Sequence, residues 1–450
     1  MRIHFIAIGG AAMHNLALAL HQQGHSVSGS DDEIFEPSYS RLQRAGLLPQ
    51  KTGWFAEAIQ CDIDAIILGM HARSDNPELL AAQKLGIPVY SYPDFMYWQS
   101  KNKKRVVIGG SHGKTTITSM IMHVLRQQHK SFDYLVGSQI EGFDTMVQLN
   151  ERHGVVVIEG DEYLASPIQP VPKFHLYHPH IAVLSGIAWD HINVFPTWDS
   201  YYQAFVEFVN KIESGGILIW YDGDAHLQKL VADCMRSDLR FESYGLPAHR
   251  ITNCVTHIPV ANGQEVALQF FGAHNLINME AARRVCRELG VGDVDFYASI
   301  SQFKGAARRL ETLYKDDKRV VFRDFAHSPS KLKATIEAVV QQFADRRVVC
   351  VMELHTFSSL NKHFLPQYAG CMDAASEAVV YYNPQTLAHK KLDAISAEDI
   401  KSGFANTAIR VINDPEELRC YFEQLRQDEH SALLMSSGNW GGLDLATILC

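Results

Sequence analysis

Residues 105–128 read RVVIGGSHGKTTITSMIMHVLRQQ and join a short apolar strand, a glycine-bearing turn and a helix. The first four residues are typical of a buried strand, and apolar residues recur at helical spacing from Ile117 to Leu125. The turn therefore lies at a helix N-terminus, where unpaired backbone N–H groups point at an anion. In such a loop Lys114 can reach the outer phosphates of a nucleotide, and the Thr115 hydroxyl is placed for Mg²⁺.

The loop departs from the strict phosphate-loop pattern. That pattern, G-x-x-x-x-G-K-[ST], has glycine where this chain has Ile108. The match is therefore to a shorter loop that begins at Gly109-Gly110 and ends at Gly113-Lys114-Thr115. A glycine-lysine-threonine tripeptide is short enough to arise by chance, but the flanking strand and helix favour a phosphate-binding function.

Length and composition indicate a globular protein of several domains. At 450 residues the chain is too long for one ordinary core, and about 150 residues per domain predict three domains. Hydrophobic residues make up 46% and charged residues 20%, which argues against extended disorder. With a net charge of −9 there is no broad basic field to hold nucleic acid. We interpret the short basic run Lys101–Arg105 as a solvated linker between domains.

The cysteines and the hydropathy pattern indicate in which cellular compartment the protein is expected. The eight cysteines are scattered without a C-x-x-C pair, which argues against a zinc site and a disulfide framework and fits a reducing cytoplasm. No run approaches the roughly 18 apolar residues of a membrane-spanning helix. The chain opens on a strand-like segment rather than on a basic and then apolar leader. We therefore expect neither export nor a membrane partner.

The first hundred residues alternate strand and helix patterns, which predicts a parallel sheet flanked by helices. The first strand ends in Gly9-Gly10-Ala11-Ala12, and the second ends in Ser30-Asp31-Asp32. A small-residue turn followed by an acid is similar to a Rossmann-type nucleotide site, although the G-x-G-x-x-G spacing is not met. The predicted elements are a strand at Ile3–Ile8, a helix from about Met13 to Gln22, and strands at His25–Ser28, Ala65–Leu68 and Pro88–Tyr90.

Acidic side chains follow two predicted strands of the central region. Val155–Ile158 leads to Glu159, with Asp161 and Glu162 just beyond, and Ile181–Leu184 leads to Asp190-His191. The carboxyl ends of neighbouring parallel strands are where a Mg²⁺-binding acid is presented. The alternative is that each acid caps a following helix or lies in solvent. A predicted helix at Ala273–Leu289 completes this region.

The last third predicts another doubly wound α/β domain. Val320–Phe322 leads to Asp324, and Ser330 is a candidate N-cap for the next helix. Asp414-Pro415-Glu416-Glu417 is typical of a helix start. Further strands are predicted at Val348–Met352, Ala378–Tyr382, Ile409–Val411 and Ala432–Met435. The fold class predicted for the chain is α/β with three domains: Rossmann-like, central P-loop ATPase type and Rossmann-like again.

In this order the motifs resemble those of the Mur ligases, ATP-dependent enzymes that add amino acids or peptides to UDP-N-acetylmuramic acid in peptidoglycan assembly. The resemblance spans nearly the whole chain, and the order of its motifs makes it specific. The segments that carry it are Ile8–Met13, Gly29–Asp31, Asp75–Glu78, Gly110–Thr116, Glu159–Glu162, Asp190-His191, Gly272–Asn275 with Asn278, Arg308–Glu311 and Asp324–His327.

The resemblance implies a domain organisation and a reaction. Residues 1–102 would bind the UDP-sugar, residues 103–310 would bind ATP, and residues 311–450 would bind the incoming amino acid or peptide. The implied reaction joins the lactyl carboxylate of UDP-N-acetylmuramic acid to an amine through an acyl phosphate, with release of ADP. The implied cofactors are ATP and Mg²⁺, and the enzyme would be a cytoplasmic monomer or homodimer. Closure about Arg308-Arg309 is also implied.

The resemblance also implies roles for individual residues. Lys114 would hold the β and γ phosphates and Arg309 would reach the γ phosphate, so that the implied catalytic residues are Lys114, His191 and Arg309. The implied Mg²⁺ ligands are Thr115, Glu159 and His191. The implied UDP-sugar contacts are Gly9, Gly10, Ala11, Ala12, Met13, Ser30, Asp31 and His71. The implied ATP contacts are Gly110, Ser111, His112, Gly113, Lys114, Thr115, Thr116, His274, Asn275, Asn278, Arg309, Asp324 and His327.

Two acceptor amines fit the resemblance. Val206 stands where many Mur ligases have a carbamylated lysine, as in the branch that acts directly on the lactyl carboxylate. Within that branch, Glu159–Tyr163, Lys173-Phe174 and Tyr177 look closer to the recycling ligase that attaches L-alanyl-γ-D-glutamyl-meso-diaminopimelate. The alternative is the ligase that attaches L-alanine in de novo synthesis. The departures from the family pattern, which fall where the amine should bind, are His327-Ser328 and Glu353–Thr356.

Two other classes of protein remain as alternatives. An NAD(P)-dependent oxidoreductase would explain the first domain but would leave the loop Gly113–Thr115 and Glu159 without a purpose. A nucleotide-dependent switch is a second alternative, because phosphate loops also occur outside ligases.

Overall fold

The chain folds into two compact units. The structure is a computed structural model, and it describes residues 1–189, 194–260, 263–305, 310–427 and 429–449. The first unit comprises residues 1–245 and 277–300, and the second comprises residues 246–276 and 301–450. The larger sheets of both units are parallel or mostly parallel and are flanked by helices, which confirms the predicted α/β class.

The first sheet of the first unit is built from residues 2–100. Its elements are β1 (Arg2–Ile6), α1 (Ala11–Gln22), β2 (Ser26–Ser30), α2 (Ser38–Arg44), β3 (Ala65–Leu68), α3 (Pro77–Lys84), β4 (Val89–Ser91) and α4 (Tyr92–Ser100). All four strands are parallel, in the order β2-β1-β3-β4. Helix α1 begins at Ala11 rather than at Met13, because the Gly10 carbonyl already accepts the N–H of His14 at 2.9 Å.

The second sheet of the first unit carries the predicted phosphate loop. Its elements are β5 (Lys104–Gly109), α5 (Lys114–Gln127), β6 (Asp133–Leu135), β7 (Val147–Gln148), β8 (Val155–Glu159), the hairpin β9 (Leu164–Ser166) and β10 (Gln169–Pro172), β11 (Ile181–Leu184), α6 (Trp198–Asn210), β12 (Ile217–Tyr221), α7 (Ala225–Ala232), β13 (Arg240–Tyr244), α8 (Ala273–Glu288, in this unit from Ile277 on) and α9 (Asp293–Ile300).

Seven of these strands pair in the order β13-β12-β11-β5-β8-β6-β7. The edge strand β7 is antiparallel to its neighbour β6, and the other pairs are parallel. Strand β5 lies near the middle, where Ile108 pairs with Val183 of β11 and with Glu159 of β8. Loops from three neighbouring strands therefore meet at one carboxyl edge, which is where open parallel sheets bind ligands.

The second unit contains two sheets. A small antiparallel sheet, which the sequence patterns did not predict, consists of β14 (Arg250–Thr252), β15 (Val255–Pro259) and β16 (Glu265–Leu268). The larger sheet and its helices comprise β17 (Glu311–Lys315), β18 (Val320–Asp324), α10 (Pro329–Gln342), β19 (Val348–Leu354), β20 (Glu377–Tyr382), α11 (Pro384–His389), α12 (Ala397–Gly403), β21 (Arg410–Ile412), α13 (Pro415–Leu425), β22 (Ser431–Met435) and α14 (Leu445–Leu449). Its order is β17-β18-β22-β19-β20-β21, with β17 antiparallel to β18.

The observed starts of two helices test the N-cap residues that the sequence predicts. Asp414 is the N-cap of α13, and its side chain accepts the N–H groups of Glu416 and Glu417, which confirms the prediction. The prediction of Ser330 as an N-cap was wrong. Helix α10 begins at Pro329 after the N-cap Ser328, because proline is already fixed near a helical φ and its missing N–H is needed by no partner at that position.

No helix in the described ranges combines the length and the apolar character needed to cross a membrane.

Candidate active site

The phosphate loop has the strand–turn–helix form that the sequence predicts. Strand β5 ends at Gly109, and α5 begins at Lys114 after a turn of four residues. Ser185, which follows β11, closes this turn: its N–H donates to the Gly109 carbonyl at 3.2 Å, and its hydroxyl donates to the His112 carbonyl. The Ser111 N–H in turn donates to the Gly186 carbonyl at 3.0 Å. The neighbouring strand therefore fixes the shape of the loop.

Both glycines of the turn are required by their surroundings. Gly110 has φ +122° and Gly113 has φ +82°, a region that favours glycine. A Cβ at Gly110 would lie 2.3 Å from Ser185 Oγ, and a Cβ at Gly113 would lie 2.4 Å from Asn278 Oδ1. The side chain of Asn278 therefore packs directly against the loop. Its role toward ATP stays a prediction.

Lys114 extends from the loop toward two acceptors. Its Nζ donates to the Gly110 carbonyl and to Glu162 Oε2, both at 2.7 Å. Burial alone lowers the pKa of Lys114, but the attraction of Glu162 outweighs it, and the net pKa is raised. The ammonium is therefore held charged in a site largely shielded from water, where its field is strong.

Thr115 and Glu159 form the oxygen-rich side of the loop. Thr115 Oγ1 donates to Glu159 Oε1 at 2.8 Å, and Glu159 Oε2 accepts the Gly137 N–H at 2.9 Å. A hydroxyl and a carboxylate are hard oxygen donors of the kind that Mg²⁺ prefers, so this pair fits that ion. Over the described ranges, no three His, Cys, Asp or Glu side chains cluster in a way that could hold a metal ion.

A buried network that the sequence did not reveal supports the loop. Ser111 Oγ lies 2.8 Å from the Tyr201 hydroxyl and accepts the Ala188 N–H at 2.8 Å. The Tyr201 hydroxyl also donates to Glu162 Oε1 at 3.4 Å. Tyr201 lies on α6, and its distance along the chain left no local signal of this contact.

The turn after β1 binds the acid at the end of β2. The Gly9 N–H donates to Asp31 Oδ2 at 2.7 Å, and the N–H groups of Ala7 and Ile8 both donate to the Ser30 carbonyl at 3.0 Å. Desolvation by burial raises the pKa of Asp31 to about 6, although the Gly9 N–H lowers it. Ser30 is buried and its hydroxyl donates to Glu78, so its side chain is occupied within the protein.

One cavity of about 390 Å³ in the first unit brings the two predicted sites together. Its lining includes the turn Gly10–Met13 and His71 from the first sheet, and Lys114 and Glu159 from the second. Gly9, Ser30 and Asp31 do not line it. Its remaining lining residues are Met70, Tyr92, Leu135, Val136, Gly137, Met146, Asp161, Ala165 and Lys173. Of these, Asp161 and Lys173 lie in segments that the sequence analysis singled out, and the other seven were missed because none belongs to a motif.

The second unit holds four of the other predicted ATP contacts: His274, Asn275, Asp324 and His327. Asn275 is buried and its side-chain amide donates to the Phe271 carbonyl at 2.9 Å. Asp324 ends β18, and its two oxygens accept the N–H groups of Leu310 and Ala326, each at 2.7 Å. His327 Nδ1 lies 2.8 Å from the Phe325 carbonyl. The roles of all four toward ATP stay predictions.

Four predicted residues lie outside the described residues: Asp190, His191, Arg308 and Arg309. The predicted metal ligand His191, the γ-phosphate arginine Arg309 and the hinge about it therefore also stay predictions.

Comparison with known proteins identifies the family. Models of the Mur ligase family match the chain with the catalytic domain over residues 2–104, the middle domain over residues 108–286 and the glutamate ligase domain over residues 308–438. A UDP-N-acetylmuramate–L-alanine ligase from Sulfurihydrogenibium sp. (strain YO3AOP1) is 31% identical, over 84% of this chain and 82% of its own length. One from Desulfitobacterium hafniense (strain Y51) is 28% identical, over 98% and 97%.

Solved structures share the fold. A murein peptide ligase from Psychrobacter arcticus superposes with a TM-score of 0.63 at 22% identity, covering 100% of this chain and 98% of the other. A UDP-N-acetylmuramate-alanine ligase from Thermotoga maritima superposes with a TM-score of 0.68 at 19% identity, with the same coverage. The three family models and the relative that is 31% identical over 84% of this chain agree with the geometry of the loop and with the order of the motifs. The chain therefore belongs to the Mur ligase family.

Proposed function

We propose that this protein joins UDP-N-acetylmuramic acid to an incoming amine at the expense of ATP, and that it does so in the cytoplasm. The observation that carries the proposal is the cavity of about 390 Å³ in which the turn Gly10–Met13 faces Lys114 and Glu159. A ligase must bring a carboxylate substrate to the terminal phosphate of ATP. A cavity shared by a sugar-nucleotide turn and a phosphate loop supplies that arrangement.

The domains divide this work in our proposal. Residues 1–102 bind the UDP-sugar, residues 103–310 bind ATP, and residues 311–450 bind the amine. The matched family models, with limits near these boundaries, support this division.

The carboxylate must be activated before an amine can attack it. A carboxylate oxygen attacks the γ phosphorus of ATP, the bond to ADP breaks, and an acyl phosphate forms. A neutral amine then attacks the carbonyl carbon, and inorganic phosphate leaves with the carboxylate oxygen that it acquired. The first step brings two anions together, so it needs fixed positive charge.

The chain's own residues supply that charge and orientation. Lys114 neutralises the β and γ phosphates, and backbone N–H groups at the N-terminus of α5 hold them without reorganisation. Thr115 and Glu159 would hold Mg²⁺, which when bound supplies further neutralisation of the phosphates. From the resemblance we add His191 as a further ligand and Arg309 as a contact to the γ phosphate.

L-alanine is the amine that the relatives favour. The matched relatives quoted above are named UDP-N-acetylmuramate–L-alanine ligases, so they support the alternative of the sequence analysis better than its preferred tripeptide. The tripeptide L-alanyl-γ-D-glutamyl-meso-diaminopimelate is the second candidate. It is favoured by the segment Glu159–Tyr163 and by Lys173-Phe174, which look closer to the recycling ligase.

ADP release measured with UDP-N-acetylmuramic acid and either amine tests both parts of the proposal. We expect release that requires the sugar nucleotide and rises with L-alanine, with the amide product identified by mass. Stimulation by the tripeptide alone would select the second candidate. ADP release that ignores both the sugar nucleotide and the amine would contradict the ligase function itself, as would reduction of NAD(P)⁺ in place of ATP consumption.

A further inference from the structure

Lys173 is a second cation in the cavity that the reaction scheme leaves without a role. It follows β10 directly, and its Nζ donates to Asp161 Oδ2 at 2.6 Å. The same Nζ lies 5.9 Å from the ring centroid of Tyr92 and 5.6 Å from that of Tyr163. Cation–π contacts at these distances hold an ammonium in place without neutralising it.

The ammonium of Lys173 stays protonated in this setting. Burial alone lowers its pKa, but Tyr92 and Asp161 raise it, and the net pKa is raised. The side chain of Lys173 is 15% exposed and that of Asp161 is 37% exposed, so the pair is open to the cavity on the side of the acid. Because Asp161 is the more exposed partner, it can be released to water while another anion takes its place on Lys173.

Each of the two lysines of the cavity forms an ion pair with one of two adjacent acids. Glu162 holds Lys114, and its neighbour Asp161 holds Lys173. Among the residues that line this cavity, all within the described ranges, these are the only lysine or arginine side chains. Lys114 belongs to the phosphate loop, and the amides of Gly10–Met13 at the N-terminus of α1 offer a place for the diphosphate of a sugar nucleotide. The anion left for Lys173 is the carboxylate that must meet the γ phosphate.

We propose that Lys173 binds the lactyl carboxylate of the sugar nucleotide and orients it for attack on ATP, with Asp161 occupying the same position on Lys173 as an internal substitute that the substrate displaces. The proposal rests on the proposed function. It assigns the carboxylate a specific partner, and it makes Asp161 a competitor of the substrate rather than a helper.

Variants with opposite expected effects test this assignment. Calorimetry would measure the affinity for UDP-N-acetylmuramic acid of the wild type, Lys173→Met, Lys173→Arg and Asp161→Asn. Loss of one charge-assisted hydrogen bond predicts about ten- to a hundredfold weaker binding for Lys173→Met, and partial recovery for Lys173→Arg. Asp161→Asn should bind as tightly as the wild type or more tightly, because it removes the competing carboxylate but keeps an acceptor for the Tyr163 N–H. Lys229→Met, at an exposed position on α7, is the matched control and should change nothing.

Further binding measurements distinguish a contact to the lactyl carboxylate from a structural ion pair and from a contact to the diphosphate. A purely structural ion pair predicts that Lys173→Met and Asp161→Asn weaken binding to the same degree, which would overturn the proposal. UDP-N-acetylglucosamine, which lacks the lactyl group, should bind the wild type and Lys173→Met with equal affinity. Equal weakening of both nucleotides would assign Lys173 to the diphosphate and would also overturn it. Affinity for a nonhydrolysable ATP analogue should stay within about twofold throughout. A wild type that binds no UDP-N-acetylmuramic acid would refute the proposed function instead.

Discussion

At the scale of single residues, the proposed reaction depends most on the side chain of Lys114. In the proposed reaction its removal takes away positive charge beside the phosphates, but it also removes the lysine partner of Glu162, a carboxylate that is 1% exposed. Breaking such a pair destabilises a protein by about 3–5 kcal/mol, so a loss of activity alone does not identify a catalytic role.

We therefore predict different effects for Lys114→Ala and for the double variant Lys114→Ala/Glu162→Gln. Lys114→Ala should lower both the melting temperature and ADP release, the latter by at least about a hundredfold. The double variant also removes the buried negative charge of Glu162 and should recover much of the melting temperature, while its ADP release stays as low. Calorimetry should find UDP-sugar binding largely intact in both. Recovery of activity in the double variant would contradict the role of Lys114 at the phosphates.

Asp31 gives a pH dependence of known sign. Its pKa is about 6 in the folded protein, above the value of about 4 for an unfolded aspartate. The folded state therefore holds the proton more tightly, and the stability that this adds is complete below about pH 4 and is lost as the pH rises through about 6.

We predict that the free energy of unfolding of Asp31→Asn minus that of the wild type increases by on the order of 2–3 kcal/mol between pH 4 and pH 7. The difference matters rather than either value, because asparagine also changes the hydrogen bond from the Asp32 N–H. Denaturant unfolding at several pH values measures it. A difference that is flat with pH, or that falls, would show that Asp31 ionises like an exposed aspartate.

Arg105 is buried, although the residue types around it predicted a solvated segment. The basic run Lys101–Arg105 predicted a solvated linker, and Lys101 is indeed exposed. Arg105, however, is buried, donating to the carbonyl of His178 at 2.8 Å and to Glu213 Oε1 at 2.6 Å. The prediction was wrong for this residue, because its partners come from distant parts of the chain and leave no local pattern.

At the scale of elements, the strand–turn–helix of the phosphate loop was predictable because apolar periodicity and two glycines specify it locally. Gly110→Ala should destabilise the protein by about 1–3 kcal/mol and abolish ADP release, because the new Cβ meets Ser185 and the backbone φ of +122° disfavours alanine. Gly154→Ala is the matched control: nothing lies within 4 Å of its Cβ, and we expect a change within about 0.5 kcal/mol. Thermal melting and ADP release compare the two. Equal behaviour of the variants would mean that the turn is not constrained as described.

Other elements were less accessible to sequence reasoning. The antiparallel sheet of β14, β15 and β16 is built from short, largely exposed strands, so it lacks the apolar runs that indicate buried strands. The strands of the larger sheets that were predicted end within about two residues of their observed limits, an error that is normal where only periodicity marks an end. Five strands of these sheets were not predicted: β6, β7, β12, β13 and β17.

At the scale of the whole molecule, the order of motifs identified the family before any geometry did, but it could not show which residues share a cavity. Lys114 and Lys173 are far apart in the chain, and their common position depends on the pairing of β5 with β8 and on the hairpin of β9 and β10. Tyr92 lines the cavity from α4, and Tyr201 contacts Ser111 of the phosphate loop from α6. Such contacts follow from tertiary packing, which local patterns do not encode.

The transfer of an oxygen atom from substrate to phosphate tests the central claim most directly. UDP-N-acetylmuramic acid labelled with ¹⁸O in its lactyl carboxylate would be incubated with ATP and, in separate reactions, with L-alanine and the tripeptide. The account predicts one ¹⁸O atom in each phosphate released, because the carboxylate oxygen that attacks ATP leaves with the phosphate. Unlabelled phosphate, or ADP formed without the sugar nucleotide, would contradict it.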